Sequence, residues 1–131
     1  MPLDKTKYKI LKLDCPAEKV LRITFDRPET YNSLDADGHR ELAYIWREID
    51  DDPTINSVLL TGAGKAFSSG GDFEMIKKVM DDFNFRAQIW KEAKDLVYNV
   101  INCSKPIVSA INGPAVGAGL VAGLLADISI A

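Results

Sequence analysis

The sequence is short of the residues that most often announce chemistry. Its 131 residues include two cysteines and one histidine. Cys15 and Cys103 are too few for a disulfide framework and are not spaced as a metal-binding or redox pair, so two reduced thiols in a cytoplasmic protein are expected. His39 stands alone between Gly38 and Arg40 on a polar stretch, where a solvated surface residue is expected. Ser68 and Ser69 have no visible base partner, so neither a catalytic triad nor a metal site stands out. An excess of positive charge is also lacking. The net charge of −3 and isoelectric point near 5.1 argue against a nucleic-acid partner. Met1-Pro2-Leu3-Asp4-Lys5 lacks a signal peptide's apolar stretch, and the longest apolar run, Pro114 to Ala126, is too short to span a bilayer. No membrane partner is expected.

What is present suffices for one domain, spanning residues 1–131, with 47% hydrophobic residues to fill a core. Residues 8–14 and 19–25 have strand character, and Leu21, Ile23 and Phe25 alternate with polar neighbours; Pro16 and its neighbours are expected to turn this hairpin. Ser33 or Asp35 can cap a helix whose stripe is Leu42, Ile45, Trp46 and Ile49. Asp50-Asp51-Asp52-Pro53 stops it, because acids at a helix C-terminus oppose the macrodipole and proline cannot continue the ladder. A strand over Ile55–Thr61, helices over about 73–80 and 85–102, a strand over Ile107–Ile111 and a helix over about 118–126 follow. A further strand begins at Asp127. The alternation predicts an α/β domain with crossovers. An ending inside an apolar strand leads to the expectation of a fragment.

Two glycine-rich turns lie at strand-to-helix junctions. The first is Lys65-Ala66-Phe67-Ser68-Ser69-Gly70-Gly71-Asp72-Phe73, and the second is Asn112-Gly113-Pro114-Ala115-Val116-Gly117-Ala118-Gly119. Glycines at such junctions let backbone N–H groups reach a ligand. A Walker loop is excluded, because Leu59 occupies the position of its first glycine. Gly117-x-Gly119-x-x-Ala122 matches a dinucleotide fingerprint, but it stands five residues from the preceding strand, and the ribose-binding acid would fall past Ala131. Asp72 is expected to cap the following helix or hold the loop; lying near a ligand is its other reading. A pair of backbone donors suits thioester chemistry, since enolisation places negative charge on the carbonyl oxygen. From the residues alone, two tight turns remain the simpler reading.

The motifs Arg27-Pro28-x-x-x-Asn32-Ser33-Leu34, Leu59-Leu60-Thr61-Gly62-x-Gly64-x-Ala66-Phe67-Ser68-Ser69-Gly70-Gly71-Asp72 and Lys105-Pro106-Ile107-Val108-x-Ala110-Ile111-Asn112-Gly113-x-Ala115-Val116-Gly117-x-Gly119 resemble the enoyl-CoA hydratase/isomerase (crotonase) superfamily. The resemblance covers nearly the whole chain. It implies a crotonase-like α/β fold of repeated ββα turns, here its N-terminal portion, with a coenzyme A thioester as substrate and no separate cofactor. It assigns the backbone N–H groups of Gly71 and Ala118 as an oxyanion hole; alanine at 118 keeps the N–H. Ser69, Gly70, Asp72, Phe73 and Gly117 would line the thioester and CoA site, with Tyr31 near CoA. A homotrimer or hexamer is implied for the full-length form, and inactivity for this portion alone.

One departure stands out. The position of a hydratase glutamate is Val121, which cannot activate water, and the family's second carboxylate would lie past Ala131. A one-base reaction such as a double-bond shift survives this loss. The alternative is a catalytically inactive CoA-thioester-binding protein. Residues around Met75 to Ile89, expected to shape the acyl pocket, do not name the acyl group.

Overall fold

The alternation at Leu21, Ile23 and Phe25 does what period two requires, placing all three side chains in the core. The computed structural model describes residues 2–131. Strand β1 (Leu11–Ala17) pairs antiparallel with β2 (Val20–Phe25). The turn falls at Glu18-Lys19, with Lys19 at φ 59°, rather than at Pro16. Pro16 instead sits inside β1, where the register shifts between Asp14 and Ala17. β1 is the sheet edge, which tolerates a residue without an N–H.

After a 3-10 turn at Pro28–Thr30 come the two-residue strand β3 (Ser33–Leu34) and helix α1 (Ala36–Asp51). Asp35 rather than Ser33 caps α1, its side chain accepting from Gly38 N. Strand β4 (Ser57–Gly62) leads to the short β5 (Gly70–Gly71), then to helices α2 (Phe73–Asp81) and α3 (Phe83–Ile101). Strand β6 (Ile107–Ala110), helix α4 (Gly117–Leu124) and strand β7 (Ile128–Ile130) complete the chain. The main sheet has the order β1-β2-β4-β6-β7, and every pairing beyond the hairpin is parallel. β3 and β5 pair parallel as a second, two-stranded sheet. The acids at the C-terminal end of α1 become anchors. Asp50 accepts from Ser104 N and Oγ, while the buried Asp52 accepts from Leu3 N and from Thr54 N and Oγ1.

The core lies between the main sheet and the helices, with Leu42, Ile45, Trp46 and Ile49 of α1 fully buried together with Leu60 and Phe67. Among the described residues, no helix is long and apolar enough to cross a membrane. Both cysteines are free thiols, Cys15 exposed and Cys103 partly buried.

His39 overturns the expectation of a solvated side chain: it is 3% exposed. Its position explains why. His39, Leu42, Ala43 and Trp46 follow helical spacing, so the imidazole continues the buried stripe of α1 into the contact with α3. There its Nδ1 lies 3.7 Å from Oε1 of the buried Glu92, and Arg40 Nε lies 3.8 Å from the same oxygen. Burial pulls the imidazole pKa below its ordinary 6.5, and the Glu92 carboxylate opposes the shift without cancelling it. A lowered folded-state value means that the unfolded chain binds more protons. The stability that this group contributes is therefore fully present above about pH 6.5 and declines as pH falls toward the folded value. Urea midpoints taken at about pH 7.5 and about pH 5.5 should fall on acidification, and the His39→Leu variant should show a smaller fall. Equal falls in both proteins would remove His39 as the cause.

Candidate functional site

The two glycine turns meet because one asparagine fixes the loop beside them. Asn32 is 1% exposed and has φ 59°, a conformation that asparagine tolerates better than most residues. Its Oδ1 accepts from Arg27 N at 2.9 Å. Its Nδ2 donates to the carbonyls of Ala63 and Ala66, each at 2.8 Å, with Phe67 O at 3.3 Å. Asn112 approaches the same turn from the other strand, donating to Gly64 O and Ala66 O at 3.1 Å and accepting from Gly62 N. Phe67 then anchors the loop in the core, edge-on to Phe25 at 5.2 Å between ring centroids.

From this anchor the two turns run side by side. Phe67 N and Ser68 N donate to Pro114 O, Val116 N donates to Ser68 O at 2.8 Å, and Ser68 pairs with Ala115 as a parallel bridge. Gly70 and Gly117 then touch backbone to backbone, with φ of 86° and 62°. A Cβ at Gly70 would lie 3.1 Å from Val116 O, and one at Gly117 would lie 3.4 Å from Gly70 Cα. At Gly70 only glycine supplies both the positive φ and the close approach, and at Gly117 the positive φ is what favours glycine. The residues that follow this contact are Gly71 and Ala118. Gly119 answers to packing as well, since a Cβ there would overlap the Ser68 side chain. That accounts for the glycine pattern of the dinucleotide fingerprint without a nucleotide.

Both amides are directed away from their own elements. Asp72 N donates to Leu34 O at 2.8 Å. Neighbouring amides on an extended strand face opposite sides, so the Gly71 N–H faces away from β3. Ala118 is the second residue of α4, and its N–H is one of the four that a helix leaves without an intrahelical acceptor.

A cleft of about 530 Å³ opens beside Gly71. Its lining includes Tyr31, Ser69, Gly71, Asp72 and Phe73, all expected from the sequence. Gly70 is buried behind them, while Gly117 and Ala118 stand across the Gly70 contact and do not line this cleft. Tyr31, at φ 53°, is 60% exposed, and its carbonyl accepts from Ser69 N at 2.9 Å. Ser69 Oγ donates to Thr30 O, and Ser68 Oγ donates to Asn32 O, so both serines serve the loop. Asp72 caps α2, its Oδ1 accepting from Met75 N at 2.8 Å, while its Oδ2 faces Arg27 at 3.8 Å. Both carboxylate oxygens are thus engaged. Val121 lies in α4 and is 38% exposed.

The cleft also holds Arg27, Thr30 and Ser33, which sequence reasoning did not single out as site residues, and Ile76, which falls in the Met75 to Ile89 stretch expected to shape the acyl pocket. Ile76 lies three residues after Phe73 on one helix face. Arg27 and Asn32 belonged to a recognised motif, but their side-chain partners are more than local and leave no spacing signal.

A family model described as enoyl-CoA hydratase/isomerase matches residues 16–131. The chain belongs to the enoyl-CoA hydratase/isomerase family. Among curated family members, the (E)-benzylidenesuccinyl-CoA hydratase of Thauera aromatica is 38% identical over 113 residues, covering 86% of this chain and 43% of that protein. The 1,2-epoxyphenylacetyl-CoA isomerase of Escherichia coli K12 is 33% identical over 114 residues, covering 86% of this chain and 44% of that protein. The crystal structure of an enoyl-CoA hydratase/isomerase from Mycobacterium paratuberculosis superposes with a TM-score of 0.87 at 38% identity, over 92% of this chain and 48% of that one. The crotonase-like fold expected from the motifs is therefore present. The chain spans less than half the length of these relatives.

The Asn32 clamp predicts a measurable loss. Asn32→Asp keeps the acceptor for Arg27 N but removes the donors to buried carbonyls, each stranded acceptor costing about 1–3 kcal/mol. Asn32→Gly keeps the positive φ and loses the amide. Both should lower the denaturant midpoint. A midpoint unchanged in Asn32→Gly would show that the backbone conformation alone holds the loop.

Proposed function

We propose that this chain forms the charge-stabilising half of an acyl-CoA or enoyl-CoA processing site. The thioester oxygen would sit between the N–H groups of Gly71 and Ala118 and gain negative charge on enolisation. The observation that supports this reading is the Gly70–Gly117 backbone contact, since Gly71 and Ala118 are the residues that directly follow it. Donors fixed before the reaction need no reorganisation as charge develops. The N-terminus of α4 adds a favourable dipole behind Ala118. The cleft walls at Tyr31, Ser69 and Phe73 would receive the CoA moiety, and no cofactor beyond the CoA of the substrate is needed. A full-length form would assemble as a homotrimer or hexamer.

The proton must move elsewhere. Among the described residues, Asp72 is the only carboxylate lining the cleft, and its oxygens are held by Met75 N and Arg27. Val121 offers no proton-transfer group. We therefore favour a reaction with one base, such as a double-bond shift through a dienolate. The second reading, an inactive CoA-thioester-binding protein, is favoured by Val121 itself. A Glu or Asp encoded in a turn beyond Ala131 would support the enzyme reading, and its absence the binding-only one.

Calorimetry with crotonyl-CoA should give a Kd of about micromolar order, with no comparable affinity for NAD. Tight NAD binding without acyl-CoA binding would sink the proposal. Where an enoyl-CoA panel shows turnover, Ala118→Pro should lower kcat about 10²–10³-fold by deleting one donor. Proline in the first helical turn removes no intrahelical bond, so the fold should persist by circular dichroism. Gly71→Pro should abolish turnover in the same way. Full turnover in either folded variant would remove that residue from the oxyanion role.

A further inference from the structure

Arg27 takes no part in the scheme above, yet it lines the cleft and its guanidinium stands between the N-terminal caps of α1 and α2. Nη1 lies 3.7 Å from Asp35 Oδ2 and 3.8 Å from Asp72 Oδ2, and donates to Ser33 O at 3.4 Å. Each aspartate is divided between two tasks. Asp35 Oδ1 accepts from Gly38 N at 2.7 Å to cap α1, and Asp72 Oδ1 accepts from Met75 N at 2.8 Å to cap α2. The remaining oxygen of each faces Arg27. Two carboxylates brought together in this way repel unless a cation stands between them. The arginine is itself fixed, because its N donates to Asn32 Oδ1 and its carbonyl accepts from Thr30 N and Asn32 N. Its side chain is only 28% exposed, so screening is incomplete.

Asp72 directly follows Gly71, so whatever orients the Asp72 carboxylate also orients the backbone beside the Gly71 amide. We infer that Arg27 is a positioning residue: acting through Asp72, it holds the Gly71 N–H in the orientation that thioester binding uses. The inference rests on the acyl-CoA reading above. It differs from a direct contact between Arg27 and an anionic group of the ligand, which would act on CoA affinity without involving Asp72.

The test is a double-mutant cycle on the labelled chain, comparing Arg27→Gln, Asp72→Asn and the pair, with Arg27→Lys as the conservative variant. Asparagine also caps helices, so Asp72→Asn removes the charge while keeping the cap. Each single variant should shift the Gly71 amide resonance, while the sheet amides stay protected from hydrogen exchange. The pair should do no more than the larger single effect, because the two residues act as one unit. Arg27→Lys should shift it less. In parallel, the preference for crotonyl-CoA over free CoA should drop about fivefold in both single variants, one hydrogen bond's worth. Additive effects, an unmoved Gly71 amide or an unmoved preference would overturn the inference. So would a loss of free-CoA affinity in Arg27→Gln alone, which would mark a direct ligand contact. If the unsubstituted chain binds neither CoA nor crotonyl-CoA, the thioester reading falls and the functional half of the inference with it. The Gly71 amide still decides the Arg27–Asp72 coupling separately.

Discussion

The side-chain amide of Asn32 joins its own loop to a turn 31 to 35 residues further along the chain. Its oxygen holds the start of its own loop through Arg27 N, and its nitrogen holds the carbonyls of Ala63 and Ala66, with Phe67 O nearby. These carbonyls lie in a tight turn after β4, where the backbone cannot pair within the sheet. Buried carbonyls without donors are costly, so a fixed turn of this shape needs a donor delivered from elsewhere. Asn112 supplies a second one from the far side and shares Ala66 O with Asn32. The position of Phe67, Ser68 and everything leading to Gly71 follows from this pair of amides.

With the turn held, a few tenths of an ångström decide the site. A side chain at Gly70 would press on the Val116 carbonyl, and Gly117 packs directly against Gly70. Ser68 occupies the space left by the missing side chain of Gly119, and its hydroxyl donates back to Asn32 O and accepts from Gly70 N. Loop and helix start therefore form one packed unit. Such a unit transmits strain poorly toward the sheet but strongly between its own members, since close-packed groups have no slack to absorb a displacement. This is why a partly exposed arginine at its border can matter to an amide that it does not touch.

Much of this architecture was legible in the sequence, where the signal is local. The alternation in β2 and the stripe on α1 identified both core faces, and the capping role of Asp72 followed from an aspartate beside a helix start. The same periodicity applied three residues before Leu42 would have placed His39 in the interior. Its polar neighbours Asp37 and Arg40 concealed it, because a polar residue on a buried face breaks the pattern that identifies the face. Pro16 misled for a related reason: proline marks turns by frequency, but a sheet edge with a register shift accommodates it equally well. The strands β3 and β5 have two residues each, too short for any period to show. The cleft residues Arg27, Thr30 and Ser33 depend on partners as far as 45 residues away, a relation that no spacing rule encodes.

A division of labour explains why the family was legible and the reaction was not. In the proposed scheme, backbone N–H groups stabilise the charge, and every residue except proline carries one. Selection then acts on the geometry that aims these groups: the glycines at the contact, the asparagines that hold the turn, the small residues between them. Those requirements are independent of what the acyl group is and of where its proton goes, so they leave strong motifs that say nothing about either. The names of the relatives fit this view, since a hydratase and an isomerase align over the same stretch at comparable identity. Proton transfer depends instead on single side chains placed around the substrate, and one substitution there changes the chemistry without disturbing the scaffold. Val121 is such a position. It lies on α4 beyond the glycine contact, where valine and glutamate are both compatible with a helix, and nothing in the packing of Gly70, Gly117 and Ser68 requires either one.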